Sequence, residues 1–502
     1  MDIPSLFMIP SAVSSGKVHS VFPNSTDADF DFNRDSDATR VNSEGLIERV
    51  GYYGSELITN GDFATDSNWT KGAGWTIANG KATVTSSITD SIYQDALTLG
   101  KTFKVTFQIT NITSGSLRVG IGINFSDYFT EVGTYTFYGQ PSNDTFLRIN
   151  PSSGTNASID NVSVKEITGD RARLNYEIEG GLVNTKPSLL LEPQRTNRLN
   201  TSNVFTNWVI SGNITITANQ IISPDGTKNA SIIDFSSATS SSNGVYVFGG
   251  SPSSAPSRSI YLKGAIGGET LNFSDPNQGG GSSITLTNKW QRFDYTGGSA
   301  ALCGIWLKNS VGNVIHAFGA QIEEGTYPTS YIPTNGSTQT RAAETCNGAG
   351  TSSILPSEEG ILYAEIAALV TGGENRVITI SDGSYNNSSR IQLYTNTNEI
   401  EMRTVVGGAI QALERVAISN TLDFNKIAYK YKANDFQLYV NGSKLRFDTN
   451  GSVSAAGTYN TINFDDGGGN ADFYGKVRDI RVYNTKEMTD SEVDILLTKI
   501  TS

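Results

Sequence analysis

The stretch "IAYKYKANDFQLYVNGSKL", residues 427–445, decides the fold class, because apolar and polar side chains alternate along it and two turn signals interrupt it. Asn434-Asp435 makes the first turn, and Asn441-Gly442 is a strong signal for a β-hairpin. Successive side chains of a strand point to opposite faces. The pattern therefore predicts a two-stranded ribbon with one apolar side, which must be buried against a second sheet. The apolar side chains that share that side in the first strand are Ile427, Tyr429 and Tyr431.

Segments of the same kind surround this ribbon. They include "GILYAEIAAL" at residues 360–369, "NRVITISDG" at 375–383 and "FYGKVRDIRVYN" at 473–484. Each is short, alternating and ended by turn residues, which is typical of a β-sandwich. The last segment differs: in "TDSEVDILLTKI", residues 489–500, a capping box precedes apolar residues at helical spacing. We predict one short C-terminal helix packed on the sandwich.

Length and composition predict several all-β domains. The chain has 502 residues, of which 17% are charged, 10% aromatic and 51 glycine, and three domains of ordinary size are expected. The net charge of −12 argues against a nucleic-acid partner and against an anionic membrane.

Cys303 and Cys346 are too few for a disulfide framework and are expected to be reduced thiols. The start, "MDIPSLFMIPSAVSSG", lacks a basic region, so no signal peptide is expected, and no apolar run has transmembrane length.

Three regions resemble known domain classes. The motifs "NGDF", "GW" and "IDNVSV" make residues 54–167 similar to a carbohydrate-binding-module jelly roll of the CBM4/9 type. A weaker second copy opens with "LNTSNVFTNWVISGNITITANQ" and closes with "HAFGAQIEEGTYPTSYIPT". Residues 347–502 resemble the laminin-G/concanavalin-like superfamily through "GILYAEI", the opening stretch, "DFYGKVRDIRVYN" and "MTDSEVDILL". These resemblances imply jelly-roll sandwiches, which often bind ligands and sometimes hold calcium.

The connecting text resembles that of tailed-phage virion proteins, chiefly in "ATRVNSEGLIE", "PSLLLEPQRTN" and "YPTSYIPT". This resemblance implies that the first jelly roll is an insertion into a scaffold, which well-packed domains tolerate. The expected organisation is a scaffold or anchor segment at 1–53, a jelly roll at 54–167, a scaffold segment or linker at 168–196, a second jelly roll at 197–335, a linker at 336–350 and a laminin-G-like domain at 351–502.

The chain is poor in catalytic patterns. Its only histidines are His19 and His316, and His316 lies in an apolar strand pattern that indicates simple packing. No G-x-S-x-G, phosphate-binding loop or H-E-x-x-H occurs. The acidic pairs Glu177/Glu179 and Glu323/Glu324 have no supporting pattern for glycoside hydrolysis. We therefore expect a protein that is not an enzyme.

Structural calcium is the one metal that the sequence nominates, and no cofactor is implied. The stretch "DADFDFNRDSD", residues 27–37, places acids at alternate positions, but Phe32 stands where a calcium loop needs glycine. A strand with Phe30 and Phe32 buried is the favoured interpretation. The carbohydrate-binding-module resemblance nominates calcium ligands where the first strand meets the last, and the laminin-G resemblance nominates two turn aspartates. Ordinary turn aspartates that accept backbone N–H groups are the competing interpretation. The nominated residues are Asp62, Asp160, Asp382 and Asp465.

Sugar binding usually needs exposed aromatic rings. Trp69 and Trp75 match core positions of the resembling family and are expected to be buried. Tyr128 and Trp306 are the candidates for exposed, glycan-binding rings, with core or rim packing as the alternative.

The sequence hypothesis is a structural protein of a tailed-phage particle: a tail or head fibre, or a capsid decoration. Its N-terminal region would contact other virion proteins, and its sandwiches would present glycan- or host-attachment surfaces. A symmetric homo-oligomer, a trimer first, is expected, on the virion surface and without membrane insertion. A secreted polysaccharide-binding adhesin and a glycan-cleaving enzyme are the alternatives.

Overall fold

The structure is a computed structural model that describes residues 3–86, 89–168, 171–179, 182–250, 256–275, 280–297, 302–308, 313–373 and 376–502. These residues form three two-sheet β-sandwiches, with one α-helix at the C-terminal end and two single-turn 3-10 helices, Thr26–Ala28 and Phe205–Asn207. The fold-class prediction is therefore confirmed. Short strands from the segments between the sandwiches complete the architecture.

The strands lie in chain order as follows. The segment before the first sandwich holds β1 (Leu6–Met8), β2 (Val13–Ser14), β3 (Lys17–Val18), β4 (Phe30–Asn33), β5 (Thr39–Val41) and β6 (Ile47–Arg49). The first sandwich holds β7 (Tyr52–Glu56), β8 (Thr70–Lys71), β9 (Trp75–Ala78), β10 (Lys81–Ser86), β11 (Ile92–Asp95), β12 (Thr102–Ser114), β13 (Leu117–Ile121), β14 (Asn124–Phe125), β15 (Gly133–Gly139), β16 (Phe146–Pro151) and β17 (Thr155–Thr168). The next segment holds β18 (Arg173–Asn175), β19 (Ile178–Glu179), β20 (Leu182–Val183), β21 (Ser188–Leu191) and β22 (Arg195–Asn197).

The second sandwich holds β23 (Val209–Ser211), β24 (Thr215–Ile222), β25 (Lys228–Asp234), β26 (Gly244–Phe248), β27 (Pro256–Gly264), β28 (Thr270–Asp275), β29 (Gly280–Thr285), β30 (Gln291–Thr296), β31 (Leu302–Leu307) and β32 (Val314–Glu324), and is followed by β33 (Gln339–Arg341) and β34 (Thr345–Asn347). The third holds β35 (Glu359–Ala368), β36 (Arg376–Ser381), β37 (Ser388–Tyr394), β38 (Glu399–Val406), β39 (Ala409–Ala417), β40 (Asn425–Lys432), β41 (Phe436–Val440), β42 (Ser443–Asp448), β43 (Thr461–Asn463) and β44 (Gly475–Asn484), then helix α1 (Asp490–Thr501).

The first two sandwiches share one plan of two antiparallel sheets. In the first, β15-β12-β17-β10-β9, with β7 added on β17, faces β14-β13-β16-β11-β8. In the second, β24-β25-β32-β27-β30 faces β23-β26-β31-β28-β29. Trp69 and Trp75 lie in the first core at 7% and 5% exposure, as expected. Each core is filled by alternate side chains of its strands.

The third sandwich contains the ribbon that the sequence predicted. Strands β40 and β41 pair with Ile427 opposite Val440, and the Tyr429 and Tyr431 side chains are fully buried. Asn441 and Gly442 both have positive φ, as the two-residue hairpin turn requires. The ribbon belongs to the sheet β18-β21-β44-β35-β40-β41-β42, which packs on β39-β38-β37-β36-β43.

Helix α1 closes the chain on the outer side of the larger sheet. Thr489 and Glu492 form the predicted capping box. Val493, Leu496 and Leu497 are buried against the sheet. The helix prediction is confirmed. Within the described residues, no helix combines the length and the apolar character that crossing a membrane would need.

The N-terminal segment contributes to the third sandwich although it is distant in sequence. Strand β1 pairs with β44, where Leu6 lies opposite Val482. Strand β4 alternates as the favoured interpretation predicted, with Phe30 and Phe32 buried in the same core and Asp31 exposed. That interpretation is confirmed. The larger sheet of the third sandwich thus depends on residues that precede both other sandwiches.

A buried ionic cluster fixes the connecting segments. Glu344 accepts hydrogen bonds at 2.8 Å from Arg34 and from Arg173, and Glu192 lies 2.8 Å from Arg173 and from Arg341. All five side chains are buried. Burial alone would raise the pKa of both glutamates, but the neighbouring guanidinium groups outweigh it and hold each pKa below its usual value. The cluster therefore stays ionised and joins four distant parts of the chain.

The two cysteines are separate. Cys303 lies in the core of the second sandwich and Cys346 in that of the third, and both are buried free thiols. Burial raises the pKa of Cys303 to about 12, so the thiol is not reactive at neutral pH.

Candidate functional site

The outward side of the sheet β14-β13-β16-β11-β8 in the first sandwich presents aromatic and cationic side chains, and we call it the aromatic face. Strand alternation decides which residues lie on this face. Leu117, Val119 and Ile121 of β13 are fully buried, so the residues between them, Arg118 and Gly120, lie on the outward side. The aromatic face consists of Tyr93, Arg118, Gly120, Phe125, Tyr128, Phe146, Arg148 and Asn150.

Arg118 is the central cation of the aromatic face. Its guanidinium carbon lies 4.1 Å from the ring centroid of Phe125 and 4.9 Å from that of Tyr128, so the two rings hold it by cation–π contacts. In the part of the chain that the structure describes, no carboxylate forms an ion pair with Arg118. Its Nε is buried without a hydrogen-bond partner, and so is Oδ1 of Asn150, its cross-strand neighbour. Arg118 is therefore fixed in position with unused hydrogen-bonding capacity.

Arg148 lies beside it but is already paired. Two of its nitrogens donate to Asp144 at 2.8 Å, and these hydrogen bonds lower the pKa of Asp144. The Arg148 guanidinium also covers the Phe146 ring at 4.8 Å, and Tyr93 meets that ring edge-on at 5.2 Å. This half of the aromatic face is a neutral, rigid aromatic rim.

The two aromatic residues nominated for sugar binding differ in exposure. Tyr128 is 37% exposed on the aromatic face, as expected for a ring that meets a ligand. The expected exposure of Trp306 is wrong, because its ring is only 3% exposed and stacks on Tyr246. Gly244 and Gly304 leave the slot that the indole fills, since a side-chain carbon at either would lie within 2.3 Å of it.

Three of the four nominated calcium ligands, Asp62, Asp382 and Asp465, lie in turns or bends, whereas Asp160 lies within strand β17. Asp62 and Asp160 each accept one backbone N–H, and Asp382 binds both the N–H and the hydroxyl of Ser384. Asp465 is buried, which raises its pKa. Among the described residues, no three or more acidic, histidine or cysteine side chains gather as a metal site would require. Calcium binding at these four residues stays a prediction.

The structure brings together three residues that sequence reasoning missed. His19 bonds through Nδ1 to Asp29 at 2.8 Å and through Nε2 to Ser14 at 2.6 Å, and the buried Asp29 also accepts the Ser20 N–H. Serine, histidine and aspartate are thus hydrogen-bonded in the same sequence as in a nucleophilic catalytic triad. However, Ser14 is exposed beside a two-residue hairpin turn and lines neither of the cavities described below. Strand pairing, not a motif, unites these residues.

The remaining catalytic candidates do not converge. His316 is 7% exposed, and burial lowers its pKa, as expected of a packed histidine. Glu177 forms ion pairs with Lys476 and Arg478, and Arg478 also lies 3.8 Å from Glu365, so this carboxylate is neutralised by cations. Glu323 and Glu324 are consecutive on β32, so their side chains point to opposite sides of the strand. The two carboxylates therefore do not face each other across a cleft.

Comparison with known proteins gives weak likenesses. No family model matches the chain, and no curated protein matches it significantly. Among solved structures, the CBM40 of the Ruminococcus gnavus IT-sialidase, bound to α2,3-sialyllactose, is 16% identical over 30% of this chain and 87% of its own, with a TM-score of 0.25. The CBM22 tandem of Paenibacillus barcinonensis Xyn10C is 10% identical over 54% and 97%, with a TM-score of 0.20. Domains LG4-5 of the mouse laminin α1 chain are 9% identical over 58% and 90%, with a TM-score of 0.21. Two of these are carbohydrate-binding modules and one is a laminin G pair, and likenesses with TM-scores of this size carry no argument about this chain.

Proposed function

We propose that the chain is a non-enzymatic surface-binding protein whose first sandwich recognises acidic saccharides on the aromatic face. The observation that carries the proposal is Arg118, which lies between the Phe125 and Tyr128 rings without an anionic partner among the described residues. Guanidinium groups bind carboxylates through paired, charge-assisted hydrogen bonds. The flanking rings supply the apolar surface that a sugar ring needs, and Asn150 supplies an unused acceptor.

The test compares acidic and neutral oligosaccharides by isothermal titration calorimetry. Sialyllactose and a glucuronate-containing disaccharide are the acidic ligands, and lactose is the neutral one. Because hydrogen bonds to charged groups contribute about 1.5–3 kcal/mol, Arg118→Ala is expected to weaken acidic-ligand binding by about 10- to 150-fold. Tyr128→Ala should weaken it by a smaller factor.

Phe447→Ala is the matched control variant. Phe447 is an exposed ring beneath a lysine ammonium in the third sandwich, 5.8 Å from Nζ of Lys444, so it repeats the aromatic–cation pair at a remote place. Its substitution should leave binding unchanged. Equal affinity of the wild type and Arg118→Ala for sialyllactose would remove the basis of the proposal.

We propose a particle surface as the setting, on the strength of the resemblance to tailed-phage virion proteins. Weak saccharide contacts repeated over an oligomer, a trimer first, would give useful avidity. The N-terminal region exposes the apolar side chains of Ile3, Val21 and Phe22, which are available for contact with other virion proteins. Mass spectrometry of purified particles tests this part, and absence of the chain from particles would favour the adhesin alternative.

A further inference from the structure

A cleft opens where the first sandwich meets the second sandwich and the connecting segments, and it has two connected parts. The outer cleft has a volume of about 420 Å³ and the inner chamber about 160 Å³. The two parts share Arg49, Tyr138, Pro333 and Asn335 as a common wall. The outer volume lies within the range of about 300–1,000 Å³ that is usual for small-molecule sites. The inner volume corresponds to about five water molecules, which is the scale of one monosaccharide.

The cations that line the outer cleft are both paired, and the lining carries one further acid, Asp35. Arg49 is paired with Asp37 and lies over the Tyr138 ring at 4.5 Å. Lys101 lies 3.4 Å from Glu166. Both cations therefore have carboxylate partners, unlike Arg118 on the aromatic face. Because both lining cations are paired and the lining carries a surplus acid, the cleft disfavours an anionic ligand and suits an uncharged one.

The inner chamber contains polar groups whose hydrogen bonds are unmet. Thr334 and Asn335 are 6% and 9% exposed, and Oγ1 of the first and Nδ2 of the second are buried without partners. Oδ1 of Asn229 is also unpartnered. A buried polar group without a partner costs about 1–3 kcal/mol, so three around one cavity indicate a missing polar occupant. On the outer-cleft side, Gly139 leaves room beside the Asn335 amide, since a side-chain carbon there would lie 3.1 Å from Asn335 Nδ2.

The walls of the chamber are held in place from both sandwiches. Thr206 of the second sandwich donates to Asp127 of the first at 2.9 Å. Asn219 donates to the Tyr128 carbonyl at 3.0 Å. Such contacts fix the cleft before a ligand arrives, which reduces the entropic cost of binding.

We propose that this interdomain cleft is a second binding site, specific for a neutral saccharide, with one sugar ring seated in the inner chamber. Hydroxyl groups both donate and accept, so a sugar hydroxyl that reaches the Asn335 donor or the Asn229 acceptor can satisfy it. Apolar walls are present as well, in Phe129, Phe318 and Tyr331. The site differs from the aromatic face in its residues and in the charge of its ligand, so it goes beyond the proposed function.

The experiment is saturation-transfer NMR on the full chain with maltose, cellobiose and lactose at millimolar concentrations, followed by calorimetry of any sugar that binds. Thr334→Val removes the unpartnered hydroxyl at nearly constant shape, so it should leave the unfolding temperature unchanged or raise it. The same substitution should weaken sugar binding by about 5- to 10-fold. Asn335→Ala should weaken it further.

Arg118→Ala separates the two proposals. It should weaken acidic-saccharide binding on the aromatic face by the same roughly 10- to 150-fold, about 1.5–3 kcal/mol, and leave neutral-sugar binding in the cleft intact. If none of the three disaccharides binds, or if binding survives in a Thr334→Val/Asn335→Ala double variant of normal stability, the cleft holds only water and the inference is wrong.

Discussion

The Asp127→Asn variant tests the packing of the first two sandwiches. Asp127 lies where they meet, and its burial raises its pKa from 3.8 to about 6, against the hydrogen bond from Thr206. A rise of about two pKa units corresponds to about 3 kcal/mol, and because the carboxyl keeps some solvent contact we expect about 1–3 kcal/mol. Asparagine has the same shape, can accept from Thr206 and does not ionise.

The sign of the effect follows from proton linkage. Because the folded-state pKa is raised, the stability that protonated Asp127 contributes is fully present below pH 3.8. It is lost as the pH rises towards 6, since the unfolded chain ionises first. Asp127→Asn does not undergo this loss, because its amide side chain does not ionise. The variant should therefore be more stable than the wild type by about 1–3 kcal/mol at pH 8 and should show no such gain at pH 3.5.

The assay is urea unfolding followed at both pH values, with calorimetry to assign the transition to the first two sandwiches, because a chain of several domains need not unfold in one step. Asp144→Asn is the control of opposite sign. The hydrogen bond from Arg148 lowers the pKa of Asp144, so this variant should lose stability at pH 8 and lose less at pH 3.5. A stability difference for Asp127→Asn that does not change with pH would refute the reasoning.

Three further predictions follow from other parts of the chain. Glu344→Gln removes the carboxylate between Arg34 and Arg173 and should lower the free energy of unfolding by about 3–5 kcal/mol, and an unchanged urea midpoint would contradict it. Ser14 should stay unlabelled by a fluorophosphonate probe, because it lies on an exposed hairpin outside both cavities, and specific labelling would show an enzyme after all. Thr489→Ala breaks the capping box and should lower the stability of α1 by about 1 kcal/mol. Faster hydrogen exchange of the α1 backbone amides would measure this loss.

Local features of the sequence predicted much of the fold. Alternation predicted the ribbon around Tyr429 and the buried strand at Phe30, and the capping box at Thr489 predicted the helix. These predictions held because strand faces and helix caps depend on residues a few positions apart. The exposure of Trp306 was predicted wrongly, because glycines on its own strand and on the neighbouring strand make the slot that buries it.

The candidate sites were predicted only in part. Tyr128 was named from sequence, but Arg118 was not, although its position between two apolar strand residues was a usable signal. Nothing local distinguishes Thr334 and Asn335 from ordinary loop residues. Their unmet hydrogen bonds arise only when a loop of one sandwich meets a strand edge of another.

The sequence alone determined that this chain folds into paired β-sheets closed by a short helix. The reason is that the spacing of apolar residues along a strand or helix is visible within a few neighbouring positions. Tertiary structure decided how the sheets are completed and which polar groups meet. Arg34 and Glu344 are 310 positions apart. From sequence alone each would be assigned to the surface, because only the folded chain buries the two side chains together. Charge pairing and cavity formation depend on distances across the folded chain, and local patterns do not encode those distances.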